Sequence, residues 1–83
     1  MAHSSAWRVN DAVAFDSMRE RSQVLVSLLL DQARSDSANA GAAKAELATL
    51  QRDLHKIDGF DRRAVDGLAA RITERISILS TRT

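Results

Sequence analysis

Val24-Leu25-Val26-Ser27-Leu28-Leu29-Leu30 decides how this chain folds. The run lies inside a segment, about residues 11–34, that otherwise reads as one amphipathic helix. At 3.6 residues per turn it places apolar side chains on every side of that helix. A stripe of about 100° is enough for an ordinary packed helix, so a single neighbour cannot cover this one. The run therefore predicts a central position in a bundle, a self-association surface, or a docking surface for another protein.

Working outward, the first helix is expected to begin near Asn10 or Asp11, either of which can cap the first free amides. Residues 1–9 then read as a flexible N-terminal arm. The main apolar row of this helix is Ala14, Met18, Leu25 and Leu29, with Leu28 beside it. Val26, Leu30 and Ala33 form a second row, and Arg21 and Ser22 interrupt the main one. Ser35-Asp36-Ser37-Ala38-Asn39 is rich in residues that compete for local backbone amides, which marks a break. No Pro enforces that break, so one kinked helix running on is the alternative.

The second helix covers about 40–57. Ala40, Ala43, Leu47, Leu50, Leu54 and Ile57 alternate by three and four, a coiled-coil-type seam. Glu46, Arg52, Asp53 and Lys56 fall off this seam and read as solvated. Gly59 is expected to close the helix in the left-handed conformation. Asp61 then caps the third helix, with Phe60 placed to pack on Val65 as a staple. That helix, about 62–79, has the row Val65, Leu68, Ala69, Ile72, Ile76, Leu79. Gly67 inside it costs about 1 kcal/mol relative to Ala and suggests a close helix crossing. Arg71, Arg75 and Arg82 share a face, Asp66 is placed to pair with Arg62 or Arg63, and Glu74 with Arg71.

Short connections make successive helices antiparallel neighbours. The fold class is thus all-α, a small up-down-up three-helix bundle. The second and third helices are expected to form a tight hairpin, with the longer first helix packed along it and overhanging. Eighty-three residues without Cys make a single domain, 1–83, that is marginal alone, so completion by oligomerisation is expected.

Composition narrows the function classes. The net charge is +1, and only residues 61–83 are basic, with five basic against three acidic groups. That is too little for a phosphate-tracking surface, and nucleic acid is not an expected partner. No apolar stretch is long enough to span a bilayer, and the first residues lack the order of a signal peptide, so a cytoplasmic location is expected. His3 and His55 lie far apart and do not form a metal-ligand pattern. No Gly-rich phosphate loop, HExxH motif or activated Cys is present, and no cofactor or metal is expected.

Two resemblances add to this reading. Ile57 through Arg71 resembles the first-helix pattern of all-helical chorismate mutases, in which an Ile-Asp pair, a further Asp, an apolar series and a substrate-binding Arg recur; Arg71 matches that Arg. Asp16-Ser17-Met18-Arg19-Glu20 is similar to the Asp-x-x-Arg-Glu that opens that family's second helix, although the two pieces stand here in reversed order. The resemblance implies a small helical enzyme with an Arg-rich site between chains for an anionic substrate, using Arg71, Arg75 and Glu20. In size and architecture the chain also resembles the small helical needle subunits and co-chaperones of type III secretion, with Ser35-Asp36 as the inter-helix turn.

The expected function is non-enzymatic protein binding by helix-on-helix docking, as an inhibitor, antitoxin-like partner, chaperone or assembly subunit. Val24, Val26, Leu28, Leu29 and Leu30 are the expected interface residues, joined by Trp7 as an aromatic anchor. A second copy of the chain, in a two-fold dimer, is the simplest partner.

Overall fold

The computed structural model describes the backbone of residues 2–35 and 38–81, and the side chains of those residues from Asn10 onward. Three helices make up the fold: α1 (Ala2–Arg34), α2 (Ala40–Lys56) and α3 (Arg62–Thr81). No strand occurs among the described residues. Cross-contacts fix an up-down-up arrangement. Arg62 and Thr73 of α3 meet Asp11 and Arg21 of α1 in the same chain order, whereas Arg71 and Arg75 meet Asp53 and Glu46 of α2 in reverse.

The Cα envelope measures 55 × 24 × 15 Å, and its long axis reflects α1. At 1.5 Å per residue α1 is about 50 Å long against about 30 Å for α3. It starts at Ala2, ahead of the start that capping chemistry placed near Asn10 or Asp11. No Gly or Pro stands between Ala2 and Asn10 to stop it. Asp11 is no cap: it is buried, and its Oδ1 accepts from Arg62 at 3.3 Å.

The core joins Met18, Leu25 and Leu29 of α1 to Ala43 and Leu50 of α2 and to Val65, Leu68, Ile72 and Leu79 of α3. These are the rows that the apolar spacing picks out. Ser22 completes the α1 row instead of interrupting it. It is buried, and its hydroxyl is satisfied by donating to the Arg19 carbonyl of the preceding turn at 2.6 Å.

The expected hairpin of α2 on α3 is not what forms. Both helices pack on α1, yet no Cα of α2 comes within 8 Å of a Cα of α3 among the described residues. Both apolar rows point at α1, and what faces across the remaining gap is charged. This placement accounts for Leu25, Val26, Leu28 and Leu29 of the run 24–30, which lie in or against the core, but leaves Val24 exposed. A helix flanked by two neighbours that stand apart needs an apolar arc far wider than one stripe.

The turn between α2 and α3 is built differently from the expected Gly closure. Ile57 ends α2 in an extended conformation (φ −64°, ψ 133°), and no described glycine has a positive φ. Asp58 makes the turn instead. Its Oδ1 accepts from the Phe60 amide at 2.9 Å and its carbonyl from the Asp61 amide at 3.0 Å. Asp61 caps α3 as expected, accepting from the Ala64 amide at 3.1 Å. The staple does not form, because the turn sends Phe60 outward, 82% exposed, while Val65 is buried. Gly59 matters through packing. A Cβ there would lie 3.3 Å from Cδ2 of the Phe15 ring, so its absence lets that ring sit against the turn.

Candidate functional site

The open seam between α2 and α3 is a concave feature formed by charged and apolar groups together; a separate hollow of about 590 Å³ lies between α1 and α2, lined by Phe15, Arg19, Val26 and Leu54 among others. Each wall of the seam lies one residue before an apolar row. Glu46, Thr49, Asp53 and Lys56 precede Leu47, Leu50, Leu54 and Ile57; Ala64, Gly67, Arg71 and Arg75 precede Val65, Leu68, Ile72 and Ile76. One residue is a 100° rotation, so when the apolar rows face α1 these stripes face each other. They form a furrow along the molecule.

Two ion pairs cross it. Arg75 holds Glu46 in a two-bonded fork, Nε to Oε2 and Nη2 to Oε1, both at 2.7 Å. Arg71 reaches Asp53 at 3.4 Å. The hydrogen bonds that Arg75 donates to Glu46 raise its pKa above the ordinary guanidinium value, with burial opposing them. Under these bridges the floor is Leu25, Leu50, Leu68 and Ile72, around a hollow of about 150 Å³. Past Asp53 the furrow widens into a hollow of about 450 Å³, with Lys56, Arg63 and Arg71 at its rim and Ile57, Ala64 and Gly67 inside. Among the described residues neither Lys56 nor Arg63 has an ion-pair partner.

Gly67 lines this wider part. A Cβ there would meet nothing within 4 Å, so the expected close crossing does not occur among the described residues. Arg62 lies outside the furrow. It pairs with Asp66 at 3.0 Å as the spacing suggested, and also with Asp11; the hydrogen bonds it donates to Asp66, then to Asp11, raise its pKa.

The residues singled out from sequence point in several directions. Leu29 is fully enclosed in the core. Val26 and Leu28 are half-buried against the core from α1's two flanks, and Leu30 is half-buried. Val24 is 50% exposed. Trp7 belongs to α1 by its backbone, but its side chain lies outside the described residues, as does all of Arg82. Arg71 is exposed and Arg75 half-buried; both span the furrow, to Asp53 and Glu46, two positions that looked solvated in sequence, and Arg71 pairs with Asp53 instead of Glu74. Glu20 is exposed on α1 and lines neither part of the furrow.

The furrow left a legible trace that hydrophobic spacing overlooks. Acids on α2 and arginines on α3 occupy the same register, one step before the apolar rows. No three His, Asp or Glu side chains converge to hold a metal ion among the described residues, and no described helix is long and apolar enough to cross a membrane. No family model, curated protein or solved structure matches the chain.

Proposed function

We propose that this chain is a small cytoplasmic, non-enzymatic protein-binding module that docks a helix of its partner along the α2/α3 furrow. One observation carries the reading. α2 and α3 each pack on α1 and stay clear of each other, so a three-helix layer offers the seat of a fourth helix. Gly67 supports it. A mid-helix Gly costs about 1 kcal/mol relative to Ala, and no crossing within the chain uses the space it leaves. A helix from outside could approach closely there. Such a module suits an inhibitor, an antitoxin-like partner, a chaperone or an assembly subunit.

The reading as a chorismate-mutase-like enzyme has less support, because Arg71 and Arg75 are already engaged by carboxylates and Glu20 lies elsewhere. The test of the binding role uses helical peptides selected from a random library against the folded protein. The bound helices should shift the amide resonances of Thr49, Lys56, Ala64 and Arg71. Gly67→Trp, which fills the furrow from a position with free space, should weaken them at least about tenfold, or about 1.4 kcal/mol. Shifts confined to other surfaces, or affinities unchanged by Gly67→Trp, would overturn the docking role.

A further inference from the structure

We infer that the occupant of the furrow is the outward face of α1 from a second copy, so that copies stack ridge into furrow. The inference rests on the docking reading above and names its partner. On α1, Val13, Glu20, Val24 and Asp31 recur at spacings of seven, four and seven, which places them on one stripe, with Asp16 nearby. Val13 is 62% exposed and, with Val24, is a large apolar residue that the fold leaves in water. Asp16, Glu20 and Asp31 are all exposed, and none has an ion-pair partner among the described residues. This ridge is acidic with two apolar points, and the exposed Arg34 stands at its C-terminal end. The wide end of the furrow is basic with an apolar lining: Lys56 and Arg63 are unpaired among the described residues, and Arg71 shares only the distant Asp53.

The two surfaces are thus complementary in charge, and convex against concave. Opposed charges of this kind steer association and set its register. They also lie on different sides of one molecule, since the furrow opens between α2 and α3 and the ridge is the side of α1 turned away from the core. A contact between unlike surfaces is heterologous, and unless its rotation closes a ring it adds copies without limit. The assembly is therefore a growing stack, in place of the two-fold dimer that the apolar run 24–30 suggested.

Two variants isolate the two halves of the contact. Glu20→Lys with Val24→Lys spoils the ridge and leaves the furrow intact; Gly67→Trp blocks the furrow and leaves the ridge intact. All three positions are exposed, and circular dichroism checks that each variant stays helical. Light scattering coupled to size exclusion is the readout. The wild-type chain should grow past the dimer with concentration and shrink as salt rises from about 0.05 to about 0.5 M. Each variant alone should stay monomeric about tenfold above the concentration at which wild type assembles. Mixed in equal amounts, the two should give a complex of twice the monomer mass that grows no further, because only one working contact remains.

A wild-type chain that stays monomeric throughout would overturn the stack, while the selected-peptide experiment would still judge the furrow as a docking seat. A helical variant that assembles alone, or a mixture that stays monomeric while wild type assembles, would overturn the ridge-into-furrow geometry.

Discussion

Two seams of this molecule are written in registers one residue apart, and they end up opposite in character. Leu47, Leu50 and Leu54 of α2, with Val65, Leu68 and Ile72 of α3, close on α1 and form the core. Glu46, Asp53, Arg71 and Arg75, each one position earlier, face one another across a gap that only long side chains bridge. Burying a Leu contributes about 1.5–3 kcal/mol, whereas a partly exposed ion pair contributes about 0–1 kcal/mol. The comparison teaches that α2 and α3 are each held by α1 and only lightly by each other.

Truncation in the closed seam is the strongest way to break this picture. Leu29→Ala, at a side chain with no exposure, should destabilise the fold by about 2–5 kcal/mol in urea unfolding. Leu50→Ala should fall at the lower end of that range, because Leu50 borders the furrow and retains 6% exposure. If Leu29→Ala proves as mild as a furrow substitution, the closed seam does not dominate stability and the contrast fails.

Gly59 and Gly67 sharpen the same contrast, with opposite signs. Gly59 abuts the Phe15 ring, so Gly59→Val drives methyl groups into packed atoms and should cost about 1–3 kcal/mol. Gly67 faces open furrow, so Gly67→Ala should raise stability by about 1 kcal/mol through helix propensity alone. Thermal melts of the two variants should shift in opposite directions. A loss at Gly67→Ala would show that the furrow is closed there.

Much of the fold was legible in the sequence. The apolar rows, both breaks, the Asp61 cap and the antiparallel order follow from spacing and turn chemistry. What was not legible has a common cause: each miss turns on which partner a polar side chain meets. Ser22 looked like an interruption because polarity was read without its i−3 carbonyl, which satisfies it inside the core. Asp11 looked like a cap because a lone Asp before an apolar row usually is one; only the distant Arg62 makes it a buried anchor. Gly59 and Phe60 followed the commonest closing pattern, but Asp58, a residue beside them, takes the turn with its side chain. For the candidate site, the arginines were read along their own helix, at spacings of three and four. Their partners lie on another helix, which single-helix periodicity does not reveal.

The finest test lies within the furrow, between its two bridges. Arg75 makes a short two-bonded fork with Glu46 in a half-buried setting, whereas Arg71 makes one long contact and is largely exposed. A double-mutant cycle on Arg75 and Glu46 should give a coupling of up to about 1 kcal/mol, and one on Arg71 and Asp53 a few tenths at most, roughly 0.3 kcal/mol. Because the Arg75 pKa is raised in the folded chain, its share of stability is fully present below the ordinary guanidinium value and is lost only as pH rises through the raised one. Measured near neutral pH, the guanidinium side of the fork is therefore constant, and added salt is the variable that should weaken both bridges, the exposed one more completely. Equal couplings at both pairs would mean that the furrow is as narrow at Arg71 as at Arg75, and the wide basic end that would receive a second copy would not exist.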